Sequence, residues 1–288
     1  SWKGGAEYDL GPQSMLFATA STGFKAGGIF PASPPRNTFL PEKLLAFEFG
    51  SRNRFFGNRL QVNLEGFYWR YNNKQETIGG YDSCGGPVCP APLQPGTLTN
   101  LTINAGRARI FGGSADVVFK ATPTTTLHGA LEYANSRYLD FVYQVPTTPN
   151  TGCAQSGPNS AGLFTVNCDG MPLTRAPLWN GTADFEQVIP TGAGNLVLGG
   201  NLTYTSSRYI DAHFLKNTFA PPYALLGADL TYKVPGDRIT ITAYIKNIGN
   251  KAAPITGYSL ADTGVQPFTA AAILQAPRTY GIRLRADF

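Results

Sequence analysis

Thr279-Tyr280-Gly281-Ile282-Arg283-Leu284-Arg285-Ala286-Asp287-Phe288 ends the chain, with Tyr280, Ile282, Leu284, Ala286 and Phe288 at one parity and Gly281, Arg283, Arg285 and Asp287 at the other. Such alternation reads as a strand, because successive side chains leave a β-backbone on opposite faces. One apolar face and one charged face suit a wall between lipid and a wet lumen. The last aromatic then sits at the lipid interface.

Upstream, the same period recurs. Leu60, Val62, Leu64, Gly66 and Tyr68 oppose Gln61, Asn63, Glu65, Phe67 and Trp69, and Leu127, Gly129, Leu131 and Tyr133 oppose Thr126, His128, Ala130 and Glu132. Ala224, Leu226, Ala228, Leu230 and Tyr232 oppose Gly227, Asp229, Thr231 and Lys233, while Ile239, Ile241, Ala243 and Ile245 oppose Arg238, Thr240, Thr242, Tyr244 and Lys246. Short breaks at 10–14, 56–58, 121–125, 190–194 and 235–237 alternate with long ones near 24–43, 76–106, 144–176, 208–222 and 249–277. Tight turns at one end and long loops at the other are the asymmetry of a bacterial outer-membrane barrel. A soluble antiparallel sandwich also alternates, but its connections do not sort by end. Tyr68, Trp69 and Tyr71 at a strand end fit an interfacial girdle.

Composition agrees. Only 14% of the 288 residues are charged, against roughly a quarter in ordinary soluble domains, while Gly (33), Phe (18) and Tyr (14) are abundant. No stretch approaches the ~18 uninterrupted apolar residues of a transmembrane helix, and mean hydropathy is −0.13. The 23 Lys and Arg give a net charge of +5 but are scattered singly, which argues against a nucleic-acid partner. Ser1-Trp2-Lys3-Gly4-Gly5 has no basic region followed by an apolar core, so no signal peptide is read. Cys84 with Cys89, and Cys153 with Cys168, lie in Gly/Pro-rich stretches that favour two local disulfides over zinc.

No catalytic constellation, metal site or cofactor motif is legible. His128 and His213 lie far apart, and neither stands in a metalloprotease or triad setting. His128 reads as a hydrogen-bonded lumen residue. Gly27-Gly28, Gly79-Gly80 and Gly112-Gly113 lack the following helix of a phosphate loop and read as bulges, turns and hinges. Arg52, Glu65, Arg107, Arg109, Glu132, Asp184, Glu186, Arg283 and Arg285 are expected to face the lumen, where they pair with one another or line the route of an anionic ligand. Ligand contacts are expected in the long loops and at their entries, at Phe24, Lys25, Tyr81, Arg175, Trp179, Arg208, Tyr209, His213 and Tyr258, where aromatics and cations mix.

About eleven strands are counted from Trp2 onward, and an odd number cannot close by antiparallel pairing. Open edges in a membrane leave backbone groups unpaired. The remaining wall is therefore expected from elsewhere.

Several stretches resemble the C-terminal half of a TonB-dependent outer-membrane receptor. Trp2 to Leu10 followed by Met15 to Gly28 is similar to the family's mid-barrel hairpin and its aromatic-Lys-Ala-Gly-Gly loop entry. Pro41-Glu42-Lys43 with Phe47 to Arg52, Asn58-Arg59-Leu60, Phe67-Tyr68-Trp69 and Asn104 to Ala108 resemble the strands that follow. Ile245 to Lys251 and Pro277 to Gly281 resemble the penultimate exit and the opening of the last strand. The resemblance implies a barrel of about 22 strands, of which residues 1–288 would be a single partial domain. It also implies residence in the outer membrane of a Gram-negative bacterium, among lipid and lipopolysaccharide. The implied function is energy-coupled uptake of a scarce ligand, foremost a ferric siderophore, through a plug and the TonB complex. Neither a plug nor a TonB box is visible in the sequence. The same segment could belong to a fragment or to a split receptor. The alternatives are a passive porin-like channel, or a receptor for cobalamin, haem or an oligosaccharide. Phe288 would form part of the barrel-assembly signal, and Pro277 to Phe288 would pair with a first barrel strand outside this chain.

Overall fold

The computed structural model describes residues 1–29, 38–82, 98–145, 149–160, 162–236, 238–259 and 270–287. Eleven strands form one antiparallel sheet in sequence order. They are β1 (Lys3–Gly11), β2 (Ser14–Lys25), β3 (Glu42–Phe55), β4 (Leu60–Asn72), β5 (Arg107–Thr122), β6 (Thr125–Asp140), β7 (Trp179–Thr191), β8 (Gly194–Thr205), β9 (Tyr223–Lys233), β10 (Ile239–Lys246) and β11 (Thr279–Ala286). Among the described residues no helix is long and apolar enough to cross a membrane. The sheet is not closed: β1 and β11 each have one neighbour.

Register fixes the two faces. Tyr8, Leu16, Ser51, Leu64, Ala115, Leu131, Gly181, Tyr204 and Ala224 are consecutive cross-strand partners from β1 to β9. The same face carries Phe47, Phe49, Leu198, Leu226 and Leu230, all exposed, and at the β11 edge Tyr280 and Ile282 are 79% and 78% exposed. A continuous exposed apolar surface of this extent needs an apolar environment. The other face carries Glu48, Glu65, Asp116, His128, Asp184 and Arg283. These are the faces that the sequence alternation predicts.

Glycine lets aromatic rings lie flat across the wall. Phe17 pairs with Gly50, Phe49 with Gly66 and Phe67 with Gly112. A Cβ added at Gly50, Gly66 or Gly112 would meet the partner's ring 2.7, 2.6 and 2.9 Å away. Gly112 and Gly113 thus lie in the middle of β5, which corrects their reading as turn or hinge residues. Gly112 leaves room for the Phe67 ring from the next strand, while Gly113 faces only the Glu65 backbone carbonyl. Gly79 and Gly80 do sit at a register irregularity between Ile78 and Tyr81.

Five short turns join the strands at one end. The five long connections at the other end carry small sheets of their own, including Gln75–Asp82 with Leu98–Asn104, and a three-stranded unit of Val142–Val145, Phe164–Asn167 and Ala154–Ser156. The main buried cluster lies chiefly in these loops, at their junction with the wall. Ala108 and Tyr138 from the strands join Phe141, Tyr143, Cys153, Val166, Cys168, Leu173 and Phe214, with Tyr71 and Ile110 against them. Tyr71, Ala108, Ile110 and Tyr138 all belong to the polar, lumen-side parity. The loops therefore fold inward over the mouth as a cap.

Candidate functional site

The cap is tied down by polar contacts at its base. Glu42, at the start of β3, accepts hydrogen bonds through Oε2 from the Gln75 backbone (2.8 Å) and from Lys74 Nζ (3.3 Å). Lys74 also lies 3.5 Å from Glu76, and the Tyr138 hydroxyl donates to Glu76 Oε1 at 2.5 Å. Gln75 Nε2 donates to the carbonyls of Ala26 (2.9 Å) and Leu40 (3.1 Å), so one short segment fastens the first two long connections. Glu42, Gln75 and Glu76 are buried, and each charge has a partner, as burial of charge requires.

Above this base the third, fourth and fifth connections meet. A disulfide joins Cys153 to Cys168, matching one of the two expected pairs. Cys84 and Cys89 lie outside the described residues, as does Phe288. Arg175 N–H donates to the Tyr209 carbonyl (2.7 Å), and its Nη1 reaches Thr256 Oγ1 (3.4 Å). The Tyr209 ring stacks edgewise on Phe214 and Phe219, with centroids 5.3 and 5.0 Å apart. His213 Nδ1 lies 2.6 Å from Asp211 Oδ1, and the His213 carbonyl accepts from Gly152 N–H (2.8 Å) and the Thr151 hydroxyl (2.9 Å). Arg208 is buried, lies over the lumen-facing Tyr223 ring (5.4 Å) and donates through Nη2 to the Pro254 carbonyl at 2.5 Å. Arg175 and Phe214 hold left-handed backbone, φ 59° and 54°, which the packing around them must sustain. Burial pushes the Tyr143 hydroxyl up to about 12.

Arg175, Arg208, Tyr209 and His213 thus converge in one cap, with Arg208 as a tether and Arg175 as an exposed cation. Tyr258 follows Thr256 in the strand Pro254–Ser259, and Tyr81 lies in Gln75–Asp82. Phe24 and Trp179 do not join them. β2 continues to Lys25, so Phe24 and Lys25 face opposite sides. Phe24 shares the outward parity of Ala18 and Ala20, and Lys25 the lumen parity. Trp179 also faces outward and stacks on Tyr133 with centroids 4.9 Å apart, as a girdle residue would.

Down the lumen face the side chains are polar and of both signs. His128 bridges two strands, with Nε2 2.7 Å from Asp116 and Nδ1 3.0 Å from Asp184, and Asn63 donates to Asp116 at 3.1 Å. This confirms His128 as a hydrogen-bonded wall residue. Arg52 lies over the Phe17 ring at 5.3 Å. A groove of about 600 Å³ runs between Asp9, Arg52, Asn63, Glu65 and Asp116 near the short turns. Arg107 and Arg109 are absent from this face. Arg107 pairs with Asn72 and Arg109 with Arg70, which puts both outward and corrects the expectation for these two charges. Among the described residues no group of three or more His, Cys, Asp or Glu is placed to hold a metal ion.

Residues 1–248 match the family described as TonB dependent receptor-like, beta-barrel. The chain belongs to this family. Its members are transporters of the Gram-negative outer membrane, which places the apolar face in lipid and the long connections outside the cell. Among solved structures, the ferric yersiniabactin uptake receptor FyuA of Yersinia pestis is 19% identical with a TM-score of 0.69, over 99% of this chain and 37% of its own. The siderophore receptor PiuA of Acinetobacter baumannii is 16% identical with a TM-score of 0.67, over 98% and 35%. BauA, the ferric preacinetobactin receptor of the same species, is 20% identical with a TM-score of 0.62, over 99% and 36%. The chain therefore spans little more than a third of the receptors that it matches. No curated protein sequence matches it.

Proposed function

We propose that the chain is the C-terminal half of a TonB-dependent receptor barrel whose capped mouth captures a metal chelate, foremost a ferric siderophore, for energy-coupled uptake. The inward-folded cap carries this reading. Arg175, Tyr209 and His213 bring a cation, an aromatic face and an imidazole together over the lumen side, a mixture suited to a bulky anionic chelate through stacking and charge-assisted hydrogen bonds. Of the charges named from sequence, Arg52, Glu65, Glu132, Asp184, Glu186, Arg283 and Arg285 share the lumen face. With the groove near the short turns, they suit a polar plug supplied by the rest of the receptor, on which TonB would act. The Cys84–Cys89 pair would staple the second connection.

The test uses the full-length receptor in cells. Uptake of radiolabelled iron from a panel of ferric siderophores is expected to require the proton-motive force. The Arg175→Ala/Tyr209→Ala variant should bind the transported chelate at least about tenfold more weakly, or about 1.4 kcal/mol. Solute flux that persists without the proton-motive force and is indifferent to these substitutions would favour a passive channel and overturn the proposal.

A further inference from the structure

The outward face of the eleven strands carries cations in one place. Lys43, Arg70, Arg107, Arg109 and Arg137 all lie at the loop ends of β3 to β6, and every other Lys and Arg of the described strand residues shares the lumen parity. Arg70, Arg109 and Arg137 are direct register partners across β4, β5 and β6, while Lys43, Asn72 and Arg107 form the row above. Like charges opposed on neighbouring strands about 5 Å apart repel one another. The described wall residues set a single acid against them. Among the described residues the patch has one ion pair, Arg107 with Asp140 at 3.8 Å. Arg137 donates to the Gly170 carbonyl (3.1 Å), and Arg109 lies over the Phe111 ring (5.4 Å). Arg109 Nε is shut off from solvent with no hydrogen-bond partner.

Height on the wall narrows the choice of anion. Phe47, Tyr68 and Phe111 form the next outward row towards the membrane centre, roughly 7 Å below the arginines. An aromatic row of this kind marks the interface, so the guanidinium groups stand at the headgroups of the outer leaflet. Their planar forks match phosphate oxygens in pairs.

We propose that this patch docks the phosphates of lipid A, the phosphorylated glycolipid anchor of lipopolysaccharide. The three register-paired arginines grip the phosphate, while Lys43 and Arg107 extend the positive surface above it. The phosphate supplies the negative charge that the row of cations lacks.

The full-length receptor, delipidated in detergent, is titrated with lipid A, with dephosphorylated lipid A and with phosphatidylglycerol, and bound lipid is read by native mass spectrometry. Wild type is expected to bind lipid A at least about tenfold more tightly than either comparator. This comparison needs no variant. Arg70→Gln/Arg109→Gln/Arg137→Gln should bring lipid A down to the level of the dephosphorylated lipid, while the corresponding triple Lys variant keeps most of the affinity. Phosphatidylglycerol binding as tightly as lipid A would overturn the glycolipid assignment. Equal binding of lipid A with and without phosphate would overturn the patch itself, as would millimolar inorganic phosphate failing to compete while a folded Gln variant binds normally.

Discussion

Gly112 decides how closely Phe67 can lie against the neighbouring strand. A Cβ there would meet both the Tyr133 carbonyl and the Phe67 ring, and overpacking of this kind costs about 1–3 kcal/mol. Gly112→Ala in the full-length receptor should therefore lower the temperature at which the folded, fast-migrating electrophoretic form is lost. Gly129→Ala, whose Cβ meets only the Thr182 carbonyl at 3.9 Å, should not. The glycine was visible in the sequence, but its function was not. The ring that needs it belongs to another strand, and only register brings the two together. Tyr143 gives a second test at this scale. Its ordinary value of 10.0 is raised to about 12 by burial. Above pH 10 the unfolded loop gains by ionising and the folded loop does not. The cap is expected to keep its full stability below pH 10 and to lose it as pH climbs towards 12. The Tyr143→Phe receptor should show a shallower dependence in proteolysis of the cap measured across that range.

At the scale of elements, the strands were legible and the loops were not. Period two, read with short and long breaks, located the wall strands, because an apolar environment on one side forces strict alternation. β5 was the exception. Its apolar residues fall at both parities, Ala108 and Ile110 on one side and Phe111 and Ala115 on the other, since the cap packs against its lumen side. Pattern alone therefore could not orient Arg107 and Arg109. The cap depends on pairings between distant segments, such as Glu42 with Gln75 and Tyr138 with Glu76, which no local pattern encodes. Its disulfide spans 15 residues, and closing a ring of that size removes about 3 kcal/mol of unfolded-chain entropy in the loop model. Reduction, or Cys153→Ser/Cys168→Ser, should open 141–168 to protease while the heat-resistant fold of the wall persists. Simultaneous loss of the barrel's electrophoretic shift would show that cap and wall unfold together.

For the whole molecule, the open sheet sets the strongest constraint. β1 and β11 each expose a row of backbone donors and acceptors along an edge whose outward side chains are apolar, Tyr8 on one and Tyr280, Ile282 and Leu284 on the other. In hydrocarbon each unpaired backbone group costs several kcal/mol, far more than a domain's whole margin when summed along a strand. Further strands are therefore expected to pair with both edges, from the same polypeptide or a second one. Expressed alone and refolded into detergent, residues 1–288 are expected to give oligomers or aggregates and no monomeric species with a heat-dependent electrophoretic shift. Adding the strands that flank these edges in the native receptor should restore a closed monomer. In that monomer, cysteines placed at Tyr8 and at Tyr280 should each crosslink to an added strand. A crosslink between Tyr8→Cys and Tyr280→Cys within one isolated chain, in a monomer with heat-dependent migration, would mean that eleven strands close on themselves, and the half-barrel assignment would fall with it.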